Sequence, residues 1–364
     1  MRVCHVISGD QWAGAEVMVF HLLKGLKQYP DLDLSAILLN EGKVAEEFRE
    51  LDIPVRIADE TNNNSYRLLN RFKDIISEIS PSVIHSHRLK ENILAFYSSK
   101  STRNIKLICT QHGASEPLEG KIKVLKRMLL SKFHFSILSR HFKYVVAVSE
   151  DLKNTLTERG KLGTEKVIMI HNGIFMPKCT VSKERKSEFV IGSAGRLFPV
   201  KDYPLMVRVA CEIVKKNGKV VFRLAGEGPE KNHLLNMINK MNIAENFFLT
   251  GFINNMEDFY RELDLYINTS IHEGLPMSIL EAMAYGLPVI APNTGGIREI
   301  IVSGHDGFLI DGRDPKLFAD KCMKLYNDRQ LLAKMGESSK SSIMNNFSFE
   351  KMADQYHALY VSGN

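Results

Sequence analysis

The sequence predicts an α/β protein of two domains, each a mostly parallel sheet with helices on both faces. Three observations carry this. Short runs rich in Val, Ile and Leu alternate with helical patterns along most of the chain, the signature of strand–helix–strand units. The alternation breaks once, at the polar stretch Lys178 to Glu188 behind Pro177, which has the character of a linker. And 364 residues are too many for one ordinary core but suit two of roughly 180 each.

In the first half, the strands are expected at Arg2–Ile7, Leu34–Leu38, Val83–His85, Lys106–Cys109, Tyr144–Val148 and Val167–Ile170, with helices between them, notably Ala15–Lys27 and Arg67–Ile79. In a parallel sheet, ligands bind beyond the carboxyl ends of the strands, which directs attention to the loops there. The loop Gly9 to Glu16 carries the sole tryptophan, Trp12, and Gly14, where the backbone can approach a ligand beside the free N–H groups of a helix start. The plain alternative is a tight turn. His85 and His87 flank Ser86 at one strand end and His112 follows another. Their spacing suggests metal, but no close carboxylate or cysteine completes a ligand set, so no metal site is expected.

From Pro117 to Lys143 the cations Lys121, Lys123, Lys126, Arg127, Lys132, Arg140 and Lys143 face a single anion, Glu119, with apolar residues between them. Such a basic amphipathic stretch suits an anionic bilayer, with an ordinary domain helix as the alternative.

In the second half, strands are expected at Phe189–Ser193, Val220–Ala225, Phe247–Leu249, Leu265–Asn268, Val289–Ala291 and Gly307–Ile310, followed by helices Pro315–Asn327, Arg329–Ser339 and Phe349–Tyr360. The run Gly192 to Asp202 ends a strand in a Gly-containing loop bearing Arg196 and Lys201, cations suited to a diphosphate and to charge developing on a leaving diphosphate. After Ile267, the loop Asn268 to Pro276 leads into a helix whose buried face is Ile279, Leu280, Met283 and Ala284, with Pro276 fitting its first turn. Gly274, Leu275, Pro276, Met277 and Ser278 form the approach to that helix, whose backbone donors suit an anion. Glu273 precedes the helix and Glu281 lies about one turn inside; carboxylates suit sugar hydroxyls or a ribose diol, not phosphate. Gly226-Glu227-Gly228-Pro229 is half of a dinucleotide fingerprint without the rest, which argues against NAD.

The pair Glu273 and Glu281, with Gly195-Arg196-Leu197 and Lys201, resembles retaining glycosyltransferase family 4 (glycosyl transferases group 1), of the bacterial polysaccharide and lipopolysaccharide type. The likeness continues through Leu224–Pro229, Gly251-Phe252, Gly286–Ala291, Gly295–Glu299, Asn172-Gly173 and Gly14-Ala15-Glu16, and so covers nearly the whole chain. It implies the GT-B fold: two Rossmann-like α/β/α domains facing each other across a cleft, here 1–180 for the acceptor and 181–345 for the nucleotide sugar, with a terminal helix, 346–364, crossing back to the first domain.

It further implies transfer of a hexose or N-acetylhexosamine from a UDP- or GDP-sugar to a glycan or lipid-linked hydroxyl, with retention, by same-face attack and without metal or other cofactor. Arg196, Lys201 and the amides after Glu273 would meet the diphosphate, Glu281 the ribose, Glu273 the sugar hydroxyls and His112 the transferred sugar. Gly14, Gly226, Phe252 and the run Gly274 to Ser278 would contact the donor. Many relatives have two glycines where this chain has Ala13-Gly14. His87 and Asn92 fit the acceptor side, and His85 a structural role. The alternatives are a UDP-sugar epimerase of the same fold and an inactive scaffold or carbohydrate-binding protein.

Composition narrows the field. Hydrophobic residues at 44 % and charged residues at 25 % suit a folded, water-soluble chain. No run of about 18 apolar residues predicts a spanning helix, and the first strand is too short for a signal peptide. Five scattered cysteines suit reduced thiols, so the expected place is the cytoplasm, peripheral to the inner membrane face. A net charge of +6 asks for an acidic partner, yet no base-reading module appears, which argues against nucleic acid.

Overall fold

The computed structural model describes residues 1–9, 12–100, 104–113, 121–177 and 188–362, with only the backbone for 121–127. Nearly all of the predicted linker, Cys179, Pro117 to Gly120 and the side chains of Lys123, Lys126 and Arg127 lie outside the described residues.

The chain forms two compact units, one of residues 1–173 with 349–364, the other of 174–348. The first holds strands β1 (Arg2–Ile7), β2 (Asp33–Leu38), β3 (Val55–Ile57), β4 (Val83–Ser86), β5 (Lys106–Gln111), β6 (Tyr144–Ala147) and β7 (Val167–Met169). The second holds β8 (Phe189–Ala194), β9 (Val220–Ala225), β10 (Phe247–Gly251), β11 (Leu265–Ile267), β12 (Val289–Pro292) and β13 (Gly307–Ile310). Every pairing among them is parallel.

The strand orders are β3-β2-β1-β4-β5-β6-β7 and β10-β9-β8-β11-β12-β13, so each unit is Rossmann-like and reverses direction at one point. These reversals, β1/β4 and β8/β11, are where an open α/β sheet leaves a crevice at its strand ends. The central strands are mostly apolar because both faces are covered; every residue of β8 and β12 is buried. Only β3 had no counterpart in the sequence pattern. It is three residues long at the sheet edge, with Arg56 exposed.

The helix Phe349–Val361 belongs to the first unit and packs on the helix Gly14–Leu26. Gly25 makes the approach possible: a Cβ there would stand 2.8 Å from Cβ of Ala353 and 3.1 Å from the Phe349 ring. Met352, Ala353, Tyr356, Leu359 and Tyr360 are its buried face. Lys106 Nζ donates to the Tyr360 carbonyl at 2.7 Å, tying this helix to β5.

The helix predicted at Arg329–Ser339 runs on to Asn346, because Ser339 and Ile343 continue its buried face. Cys4, Cys109, Cys211 and Cys322 are free and buried. Among the described residues no helix is long and apolar enough to cross a membrane.

Candidate active site

The second unit brings the predicted cation loop and carboxylate loop together at the β8/β11 reversal. The loop after β8 is stitched to the loop after β11 by Ile271 N–H donating to the Val200 carbonyl at 2.8 Å and the Thr269 hydroxyl donating to the Lys201 carbonyl at 3.0 Å. Arg313 spans both, donating from Nε to Asp202 at 2.9 Å and from Nη1 to the Ser270 carbonyl at 3.2 Å. Asp202 itself caps the helix Tyr203–Val214, accepting from Leu205 N–H at 3.3 Å.

This framework sets Lys201 Nζ 2.5 Å from Glu273 Oε1, which also accepts from the Ser270 hydroxyl at 2.6 Å. Glu273 is held from behind by the loop after β12: Gly296 N–H donates to its carbonyl at 3.1 Å. A Cβ on Gly295, which has φ +51°, would lie 2.3 Å from that carbonyl oxygen, so only glycine fits. Gly226 plays the equivalent part beside the other loop. With φ +137°, its missing Cβ would fall 2.0 Å from the Gly195 carbonyl oxygen. Arg196 is exposed, its guanidinium 4.8 Å from the centre of the Phe198 ring, and Phe252 is exposed too.

The helix Met277–Ala284 starts one residue later than predicted. Pro276 is its N-cap residue, with extended backbone and no side-chain cap, rather than part of its first turn. Its carbonyl accepts from Ile279 and Leu280 N–H, so the first-turn amides of Met277 and Ser278 have no acceptor within the helix. Only eight residues long, this helix is held by burial of Ile279, Leu280, Met283 and Ala284 rather than by propensity. Leu275 and Met277 are buried as well, so the Met277 side chain faces the core and its backbone amide is what the helix start presents.

Glu281 lies beneath, accepting from the Tyr260 hydroxyl at 2.6 Å. Burial pushes its carboxyl up to about 7, against the opposing effect of the tyrosine hydrogen bond. Ser270, Tyr260, Tyr266 and Arg313 were missed by sequence reasoning. Tyr266 brackets the end of β8, its hydroxyl accepting from Ala194 N–H at 3.0 Å, and such partners from distant segments leave no local pattern.

The first unit gathers histidines at its own reversal. His5 on β1 and His85 on β4 are paired in register, and His87 and His112 follow at the strand ends. Nδ1 of His5 is 3.3 Å from Nε2 of His87, and Nδ1 of His87 is 3.2 Å from Nε2 of His112. Burial pushes His5 and His112 down to about 3 and His85 and His87 well below the ordinary imidazole range. His5, His85 and His87 bring ligand-type nitrogens within 4.8 Å of one another, a grouping that the spacing argument missed because His5 comes from a different strand.

The acceptor-side reading of His87 and Asn92 is corrected. Both are buried, and Asn92 is consumed internally, accepting from the Ser86 hydroxyl at 2.6 Å and bonded to His134 at 2.8 Å. Gly14 is exposed at the start of the helix Gly14–Leu26. The buried Glu16 of that helix pairs with Arg88 at 2.5 Å, and Arg88 also donates to the Ser8 hydroxyl at 2.8 Å.

Comparison with known proteins joins these observations. Residues 12–175 match the family Glycosyltransferase Family 4, and residues 180–342 match Glycosyl transferases group 1. The poly(ribitol-phosphate) alpha-N-acetylglucosaminyltransferase of Staphylococcus aureus (strain COL) is 28 % identical over 60 % of this chain, a match that spans 46 % of that relative. The UDP-Gal:alpha-D-GlcNAc-diphosphoundecaprenol alpha-1,3-galactosyltransferase of Escherichia coli is 26 % identical over 77 % of this chain and 75 % of its own. Among solved structures, Anabaena Alr3699/HepE in complex with UDP superposes with a TM-score of 0.84 at 20 % identity, covering 100 % of both chains.

Proposed function

Because the chain belongs to the group 1, family 4 glycosyltransferases and has the GT-B fold, we propose that it transfers a hexose or N-acetylhexosamine from a UDP-sugar to a hydroxyl of a glycan or lipid-linked acceptor, with retention and without metal. The observation that carries this reading is the Lys201–Glu273–Ser270 cluster set against the first turn of Met277–Ala284, with Glu281 at its base.

In this reading the diphosphate is met by Lys201, Arg196 and the Met277 and Ser278 amides, which stabilise the charge that grows on it as the sugar departs. Lys201 exchanges its Glu273 partner in part for phosphate, which frees Glu273 to accept from sugar hydroxyls. Glu281 accepts from the ribose diol. His112 serves the transferred sugar, and Gly14, Gly226 and Phe252 contact the donor as in the family. No carboxylate is cast as a covalent nucleophile; the leaving phosphate takes the acceptor's proton on the same face. UDP is preferred over GDP because the galactosyltransferase relative is named for a UDP-sugar and the Anabaena structure holds UDP.

The test is thermal stability against UDP, GDP, UDP-glucose, UDP-N-acetylglucosamine and GDP-mannose with a chelator present. A ligand that binds only the folded state raises Tm with concentration. A shift with the uridine compounds supports the reading. A shift with none of them, in folded protein, removes it.

The acceptor side of the proposal includes the inner face of the cytoplasmic membrane. On the helix Lys121–His141, Met128, Leu129, Leu130 and Phe133 are exposed beside the exposed cation Lys132, while Ile137 and Leu138 are buried. An apolar outer face among cations suits an anionic bilayer. Sedimentation with phosphatidylglycerol vesicles tests this, and protein left in the supernatant excludes it.

A further inference from the structure

The buried histidines of the first unit are joined end to end with hydroxyl groups of the C-terminal helix. The Tyr356 hydroxyl is 2.8 Å from the Thr110 hydroxyl, which is 2.8 Å from Nε2 of His85. Nδ1 of His85 is 2.7 Å from the Tyr360 hydroxyl, which is 3.3 Å from Nε2 of His5. The chain closes through His5 to His87 and His87 to His112. Seven groups are thus linked by six hydrogen bonds.

Counting protons decides which way the bonds run. A neutral imidazole carries one N–H and one lone pair, and a hydroxyl carries one O–H. Burial keeps all four imidazoles neutral, so seven protons serve six bonds and one is left over. Thr110 or Tyr360 could accept both of its bonds and hold the surplus proton, but both are fully buried and among the described residues neither hydroxyl has a further partner to receive it, so the proton leaves the chain at an end. The Tyr356 end is closed: the residue is fully buried, and among the described residues Thr110 is its hydroxyl's hydrogen-bond partner. At the other end His112 is partly exposed, and among the described residues its Nδ1 has no hydrogen-bond partner.

From this arrangement we infer that Tyr360, through His5 and His87, is a positioning residue that fixes His112 as its Nδ1–H tautomer, so that His112 meets the transferred sugar as a hydrogen-bond donor. The inference rests on the proposed function for the presence of a sugar at His112; the chain itself does not. All bonds then run one way. Tyr356 donates to Thr110, Thr110 to His85 Nε2, His85 Nδ1–H to Tyr360, Tyr360 to His5 Nε2, His5 Nδ1–H to His87, and His87 Nδ1–H to His112 Nε2. A histidine in this state holds no lone pair toward the substrate. The acceptor's proton therefore goes elsewhere, which agrees with the leaving phosphate as its destination.

The same count makes a sharp statement about four residues. His5, His85, His87 and His112 all carry the proton on Nδ1. Tyr360→Phe divides the chain, and the His5–His87–His112 segment then has an open end on either side, so its direction is no longer imposed.

The experiment is nitrogen NMR of protein labelled in histidine, assigned with single His→Gln variants, alongside hydrolysis of UDP-glucose. In the parent, four Nδ1-protonated neutral rings are expected. In Tyr360→Phe, the His112 signal should move toward the other tautomer, and kcat should fall about tenfold with KM for UDP-glucose within about twofold. Mixed tautomers in the parent would overturn the inference, as would an unchanged His112 signal in a folded Tyr360→Phe protein. One equivalent of tightly bound zinc shifting these nitrogens would replace the chain with a metal site. If the parent shows the single tautomer but neither binds nor hydrolyses UDP-glucose, the UDP-glucose reading falls and the chain stands.

Discussion

The two units have the same strand order to either side of their reversals, yet they place opposite chemistry there. At β1/β4 the first unit buries neutral imidazoles and hydroxyls, linked through hydrogen bonds. At β8/β11 the second unit gathers a lysine, an exposed arginine, two glutamates and open amides. The backbone topology only delivers side chains to a place. Which residues end the strands decides whether that place holds charge or holds direction, and a transferase needs both: charge for a departing diphosphate, and oriented donors for a sugar without charge of its own.

The charged unit carries the largest expected effect. Lys201→Ala removes the cation that faces Glu273, and turnover of a UDP-sugar is expected to fall about a hundredfold, measured at saturating donor. A fall of less than about threefold would mean that the charge at β8/β11 is not what the reaction uses.

Next comes Glu281. Its folded pKa, raised from 4.5 to about 7, means that the folded state holds the proton more tightly. That contribution to stability is fully present below pH 4.5 and is lost as pH rises through about 7. Glu281→Gln should therefore stabilise the ligand-free protein by about 3 kcal/mol above pH 7, and should give little about one pH unit below 4.5, where the wild-type side chain is largely protonated in both states. The same change should weaken UDP-glucose binding at least about tenfold at pH 8, because the ionised carboxylate is the better acceptor for a diol. Wild-type affinity should fall as pH drops below about 7. Equal affinity at pH 6 and pH 8 would take Glu281 out of the donor site.

Salt separates the two units more gently. Raising ionic strength tenfold should weaken UDP-glucose binding several-fold, while the histidine nitrogen spectrum stays as it was, since neutral groups are not screened. Smallest is the effect of Leu129→Ser with Phe133→Ser. Both residues are exposed, so Tm should change by less than about 2 °C while sedimentation with anionic vesicles is lost. Retained sedimentation would turn attention to the cations alone.

Much of this was legible in the sequence because parallel strands buried on both faces leave continuous apolar runs, as at Val289–Pro292 and Gly307–Ile310. The loops were legible because glycines that admit no Cβ, such as Gly226 and Gly295, mark close backbone approaches. What was hidden is what comes from far away. Arg313 reaches Asp202 and the loop of Ser270, Tyr260 crosses to Glu281, and Tyr360 is 275 residues beyond His85. In the sequence, Tyr356 and Tyr360 count as members of an apolar helix face, and nothing local shows that their hydroxyls end on histidines. His5 passed as part of a buried strand; only its register with His85 shows what it joins.

The interruption of the first unit by the second has a consequence for how the protein is made. Residues 174–348 are contiguous, and their two ends lie side by side, with Ile174 bridged to Ser348. A ribosome that has released residue 348 has delivered everything the second unit contains. The first unit, begun earliest, is still missing the helix Phe349–Val361 and with it both tyrosines that its histidines lean on. The half of the molecule translated first is therefore the half completed last.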